Sequence, residues 1–449
     1  MDERSDKLEA GEILPEKAAL PETQDGEARN PVPAFSASPG ELAAAALLYP
    51  LAYLYIHVFW YGSSHLYSRV FLALFVLGFV LLGELLHRRT ARPWESWIWL
   101  GCLVVVLGAY LSGRCRVWED AAVLFLHIFG VWWLLARSGT LAEGESGTFL
   151  PLDAMNGFLF YPFRYFFLRF RVLWFFLTRP LRKWSRGSSG TLGWSLAALF
   201  VGGWLLYQAA KLLAEADVGF SALFTGLLDR LTLDWSLLLS TDQGLILLLS
   251  FPVGAYLFGL LAGTDRVDRD VLRKLTSDWR HSLEALRRVP GTVWAALTGL
   301  FCLLYLLFFA VQFSYLFGGF VGRLPEGFIV SEYARQGFFE LCRVMAVNFV
   351  LLWLSGHSVR KGERGERAVK LLSLLLLGES LLLAAVAFSK LYLYISCFGF
   401  TPRRLQSTWL VCLLAFGCLC WAVSLWKGKK TFRVWMFFGA VSLSLLCLY

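Results

Sequence analysis

The chain has 449 residues, 57% hydrophobic, 16% aromatic and only 17% charged, with a formal net charge of +9 and a mean hydropathy of +0.58. That balance excludes a soluble globular enzyme or a disordered regulator and describes a polytopic membrane protein. Residues 1–38 hold four basic and nine acidic side chains, so the remainder carries +14 (+9 less −5); spread over connections, this surplus reads as loop charge that sets topology and meets anionic lipid, not as a nucleic-acid footprint.

Residues 1–38 are acidic, contain proline and are poor in large apolar side chains, which predicts a disordered cytoplasmic tail. A basic n-region followed by an apolar core is missing, so the tail is not a signal peptide. The rest, residues 39–449, recurrently offers apolar runs long enough to cross about 30 Å of hydrocarbon as helices, and the fold class expected is all-α with about eleven transmembrane helices. Four N-terminal spans occupy 39–137: about 41–60, 66–86, 95–112 and 118–136. The segment 150–186 is different, because aromatic residues alternate with Arg164, Arg169 and Arg171 and Pro162 interrupts the run. Three arginines near the middle of a spanning helix are costly; a segment at the interface, with rings at headgroup depth and guanidinium groups on lipid phosphates, costs far less. It is either a lipid-anchoring elbow or a docking surface for an acidic partner or lipid substrate.

The region 191–449 supplies about seven more spans, near 191–212, 243–263, 292–313, 337–355, 369–389, 406–426 and 432–449. Residues 218–240 read as an amphipathic helix on the membrane surface and 266–288 as a solvated helical linker of mixed charge. With eleven spans and a cytoplasmic N-terminus, the basic connections HRRTAR, 164–186, 266–288, SVRKGERGER and KGKKTFR all fall on the cytoplasmic side.

The stretch from Gln312 to Arg343 carries Glu332, Arg335, Glu340 and Arg343 where a membrane helix begins. At 100° per residue the four fall within roughly 140° of one helical face, where opposite signs three residues apart can pair. One reading is a structural lock of ion pairs with Ser331 as helix cap. The other is an extracytoplasmic vestibule for an anionic ligand formed with Lys390, Arg403 and Arg404 and edged by Tyr333, Tyr392 and Tyr394. Five bases against two acids tilt that set towards an anion.

YLFGG (Tyr315–Gly319), LPEG, SEYARQGFFEL (Ser331–Leu341) and LYLYISCFGFTPRRLQ (Leu391–Gln406) together resemble the signature of bacterial membrane proteins called domain of unknown function 4173, related to domain of unknown function 4153. The resemblance covers roughly the C-terminal two thirds. It implies a multi-pass protein of the bacterial cytoplasmic membrane and supplies no chemistry. Family members often carry an acidic residue in the stretch occupied here by Ile395–Cys397, which has none.

Glu379 lies midway along the span near 369–389, where a carboxylate must be protonated, paired or functional; it is either a protonated contact to Ser380 or a coupling carboxylate for protons or cations. Gln208, Gln312 and Asn348 read as interhelical hydrogen bonds, and His57 and His127 as core histidines. Nine cysteines and six histidines form no metal or disulfide spacing, and neither a G-x-S-x-G, a P-loop nor a paired Asp motif is present, so no metal, cofactor or catalytic residue is expected. The expected function is transport-like or small-molecule binding; the competing class is a membrane scaffold or signalling subunit that engages a protein partner through cytoplasmic loops.

Overall fold

The computed structural model describes residues 35–62, 66–115, 119–185, 241–311, 330–360 and 364–449, with 202, 205, 206, 209 and 362; side chains at 66, 119, 120, 179–185, 241, 330–337 and 364 are outside the description. Residues 38–449 form one unit. Every named element in the described residues is helical, apart from an isolated bridge between Val289 and Val359.

The first four helices are α1 (Pro39–Tyr61), α2 (Leu66–Leu86), α3 (Glu95–Leu111) and α4 (Glu119–Ser138). A broken segment follows: α5 (Leu150–Met155), one π-helical turn at Asn156–Phe160, α6 (Tyr161–Arg164) and α7 (Leu168–Ser185). Then come α8 (Thr241–Arg266), the linker helix α9 (Arg269–Ala285), α10 (Gly291–Val311), α11 (Val330–Ser358), α12 (Arg364–Phe398), α13 (Pro402–Lys427) and α14 (Phe432–Leu446). Among the described residues eight helices are long and apolar enough to cross a membrane; α3 and α14 are shorter apolar helices. Of the eleven spans expected, most of the one near 191–212 lies outside the described residues, as do residues 1–34 of the tail and the 218–240 helix.

Helices α1, α2, α3, α4 and α8 pack as one group around the broken segment, and α10 to α13 as a second; α14 joins them by packing on both α13 and α3. The helices are apolar almost all round, as lipid-immersed helices must be. On α10 this leaves Leu300, Leu303 and Leu307 outward, while Thr298, Cys302 and Tyr305 turn inward. The polar face is the buried one.

Basic connections gather at one end of the bundle. Ser38 and Glu41 form a capping box at the start of α1, and Glu41 also pairs with Arg266 at the end of α8. Glu84 at the end of α2 takes Arg92 and Arg137. Thr276 on α9 donates to the Ala142 carbonyl (3.2 Å), and Val289 bonds Arg360 beyond α11.

The broken segment buries one face and exposes the other, where Phe163, Phe167 and Trp174 lie. Tyr161 and Leu168 are buried, and Arg169 is 4% exposed, its Nε donating to the Ala45 carbonyl at 2.9 Å. This corrects the expectation that Arg169 contacts lipid: the buried guanidinium donates through Nε to a backbone oxygen and lies 5.8 Å from the Tyr49 ring, while its Nη1 has no hydrogen-bond partner. Arg164 and Arg171 remain exposed, with Arg164 over the Phe160 ring at 5.3 Å. Close approach to α8 is possible because Gly259 lies under Pro162, where a Cβ would fall inside the contact radius of the carbonyl oxygen and 3.0 Å from its carbon.

Candidate functional site

Three helices of the second group place polar side chains in one buried core. Tyr305 on α10 donates to Asn348 Oδ1 on α11 (2.7 Å), Asn348 Nδ2 donates to Ser380 Oγ on α12 (2.9 Å), and Ser380 donates to the Leu376 carbonyl (2.8 Å). Glu379 adjoins this relay, 5% exposed, with neither carboxylate oxygen hydrogen-bonded. The Cys302 thiol is beside it, yet donates to the Leu372 carbonyl at 3.7 Å. The expected Glu379–Ser380 hydrogen bond is not made: Ser380 Oγ accepts from Asn348 and donates to the Leu376 carbonyl of its own helix, and the Glu379 oxygens have no partner. Asn348 does form the interhelical hydrogen bonds expected of it. Gln208 and Gln312 lie outside the described residues.

Lys390 is the second ionisable group in this core, 1% exposed. Eleven residues separate it from Glu379, which is about 16 Å along the helix and a rotation of about 20°, so both sit on one stripe of α12. Between them on that stripe Leu383, Val386 and Ala387 are buried and apolar. The Glu340 carboxylate is the acidic neighbour that acts on Lys390.

The seven residues of the expected vestibule do not share one open surface. Glu332 and Arg335 lie outside the described side chains. Glu340 and Arg343 are exposed on α11, and no ion pair joins them among the described residues. Lys390 is enclosed, contrary to the expectation that it lines a vestibule. Arg403 is exposed, whereas Arg404 stacks 4.1 Å from the Tyr394 ring and donates to the Gly399 carbonyl at the turn before α13. Two aromatic histidine environments match the core reading: His57 packs against Tyr61 and Phe71, and His127 against Tyr55, Phe158 and Tyr256.

A second polar cluster had no distinct signal in the sequence. Around the π-helical turn, Asp153 accepts from the Ala142 N–H at 2.7 Å, and Asn156 is buried with both amide atoms unpartnered. π-turns concentrate at functional sites because they displace backbone and side chains from the regular ladder. Nearby, Glu95 on α3 accepts from Trp99 Nε1 (3.1 Å), from the Ser146 N–H (3.1 Å) and from Arg433 on α14 (2.8 Å). Arg433 also pairs with Glu145, and its guanidinium lies 4.6 Å from the Trp94 ring.

Burial pushes the Asp153 carboxyl up to about 7, with Glu95 and Glu143 adding repulsion. The native protein thus holds a proton that the unfolded chain has released between pH 4 and 7. Stability from this group is fully present below the ordinary carboxylate range and is lost as pH rises through about 7, by on the order of 4 kcal/mol at most. We expect the thermal midpoint in detergent to fall between pH 5.5 and 8, and Asp153→Asn to flatten that fall; an unchanged slope in the variant would assign it to other groups.

Among the described residues no group of His, Cys, Asp and Glu is arranged to hold a metal ion. The sequence pattern of the family described as "Domain of unknown function (DUF4153)" matches residues 101–449. No curated protein and no solved structure matches the chain.

Proposed function

The chain belongs to the family described as domain of unknown function 4153, and from that premise we propose that it is a transporter-like, small-molecule-binding protein of the bacterial cytoplasmic membrane. The narrower likeness to domain of unknown function 4173 belongs to the same proposal and rests on Tyr315–Gly319, Ser331–Leu341 and Leu391–Gln406. A cytoplasmic N-terminus is supported by the gathering of basic connections at one end of the bundle.

The observation that carries the reading is Glu379: an unpartnered carboxyl inside a membrane core, beside a three-helix hydrogen-bond relay and on one stripe with Lys390. Burying a carboxylate costs several kcal/mol, and polar groups held at such depth mark ion and proton pathways more often than packing. In this reading Glu379 couples protonation to a rearrangement of α10, α11 and α12. Arg343, Arg403 and Arg404 attract an anion from the opposite end, with Glu340 beside Lys390 and with Glu332 and Arg335 in the first turns of α11. The apolar stretch Leu383–Ala387 keeps the two groups apart in an occluded form. That same packing favours the second reading, a scaffold acting through its loops, since a scaffold needs no water-filled path.

Cys302 offers the test. In a variant that retains Cys302 as its single cysteine, a small water-soluble maleimide should label Cys302 in membranes, more under an imposed pH gradient, and Glu379→Gln should suppress the gradient-dependent part. A thiol silent under every gradient and ligand condition would leave the scaffold reading standing.

A further inference from the structure

At the basic end of the bundle a cavity of about 410 Å³ opens between the last turns of α11 and α13, the start of α14 and the strap Thr148–Pro151. It lies apart from the Glu379 core. Its walls are aromatic, built from Trp353, Trp421, Phe432 and Trp435. The indole of Trp435 is already satisfied by the Leu413 carbonyl (2.9 Å), and the Thr431 hydroxyl by the Cys420 carbonyl. These walls ask for apolar surface, not for hydrogen bonds. The volume lies within the ~300–1,000 Å³ of small-molecule sites.

The rim has the opposite character. Two lining residues, Ser424 and Thr431, are joined by the connection Lys427-Gly428-Lys429-Lys430, all exposed. Gly428 adopts φ 64°, which ends α13 and turns the chain, so the lysines lie on the short connection between lining residues of α13 and Thr431. Lys430 is 3.5 Å from Glu143 and thereby engaged. Lys427 and Lys429 make no ion pair among the described residues. An apolar, tryptophan-walled recess beside uncompensated cations, at the ends of membrane helices, matches an amphiphile that carries an apolar tail and an anionic head.

We propose that this cavity is a binding site for an anionic phospholipid, its acyl chain against Trp353, Trp421 and Trp435 and its phosphate at Lys427 and Lys429. A zwitterionic lipid would fill the apolar part but gain little at the rim. A free phosphate would find the rim without the depth. Gly356, which lines the cavity, is the natural probe, because a Cβ there meets nothing within 4 Å. A large side chain at this lining position has open space and is expected to fill part of the cavity without displacing backbone.

The full chain, purified in detergent and stripped of lipid, is titrated with phosphatidylglycerol and separately with phosphatidylcholine, and bound lipid is counted by native mass spectrometry. Wild type should retain phosphatidylglycerol in preference. Gly356→Trp should lose that retention while keeping its lipid-free thermal midpoint; Gly356→Leu serves the same purpose if the tryptophan variant does not fold. Lys427→Gln with Lys429→Gln should reduce the preference for phosphatidylglycerol by about ten- to thirty-fold and leave phosphatidylcholine binding unchanged. Undiminished phosphatidylglycerol retention in the folded Gly356 variant would overturn the proposal, as would equal affinity for the two lipids in wild type. Competition by inorganic phosphate at matched concentration would also overturn it, by showing that the head alone is recognised.

Discussion

Gly259→Ala is expected to lower the thermal midpoint in detergent by the equivalent of about 3 kcal/mol or more. The single methyl would meet the Pro162 carbonyl, and the obstacle is backbone, which cannot swing aside as a side-chain tip can. Pro162 in turn belongs to a helix that begins directly after the π-turn, so relief would require α6 to lift from α8 and expose Tyr161. Gly101→Ala is the matched control: its Cβ meets nothing within 4 Å, and replacing a helical glycine there should be neutral or stabilising by up to about 1 kcal/mol. Equal midpoints for the two variants would mean that α6 does not seat against α8.

The second large effect concerns Glu95 and Arg433. Removing Arg433 by alanine leaves Glu95, 2% exposed, with only the Trp99 and Ser146 N–H groups for company. Breaking a buried pair from one side typically costs about 3–5 kcal/mol, because the surviving charge remains desolvated. The expected result is a strongly destabilised Arg433→Ala variant and a double variant, Arg433→Ala with Glu95→Gln, that recovers part of the loss. The double-mutant cycle reads the coupling directly in thermal midpoints or denaturant titrations. A cycle that closes with no coupling would show that Arg433 acts through Trp94 and Glu145 instead.

Much of the fold was legible because hydrocarbon imposes it. A chain that must hide every backbone N–H and C=O in lipid has helices as its only open choice, and their lengths follow from bilayer thickness. The helices α1, α2, α4 and α8 through α14 therefore sit where apolar runs and basic connections predicted them. Glu379 and Asn348 also stood out, since a polar residue in a leucine-rich run is costly wherever the helix sits. The mixed charge of 266–288 correctly gave a solvated helix, with only Leu272 and Thr276 buried.

Other features depended on the third dimension. Helical spacing put Glu340 and Arg343 on one face, but spacing says nothing about competing water, and both stay exposed. Arg164, Arg169 and Arg171 look alike in sequence; only the approach of α1 makes Arg169 a buried donor to Ala45. Lys390 was placed at a vestibule because it lies near a helix end by count, yet α12 extends to Phe398 and carries it inside.

The sequence by itself determined the apolar surroundings, the helical class and the presence of costly polar residues, because those follow from transfer energies that each segment carries alone. The tertiary structure decided which of those residues meet. Glu95 and Arg433 are 338 positions apart, and the Tyr305–Asn348–Ser380 relay needs three separate helices to converge. The aromatic cavity beside Lys427 and Lys429 exists only where helix ends fail to close on one another. Pairing and enclosure are properties of distances between segments, and no local pattern in a chain encodes a distance to a residue hundreds of positions away.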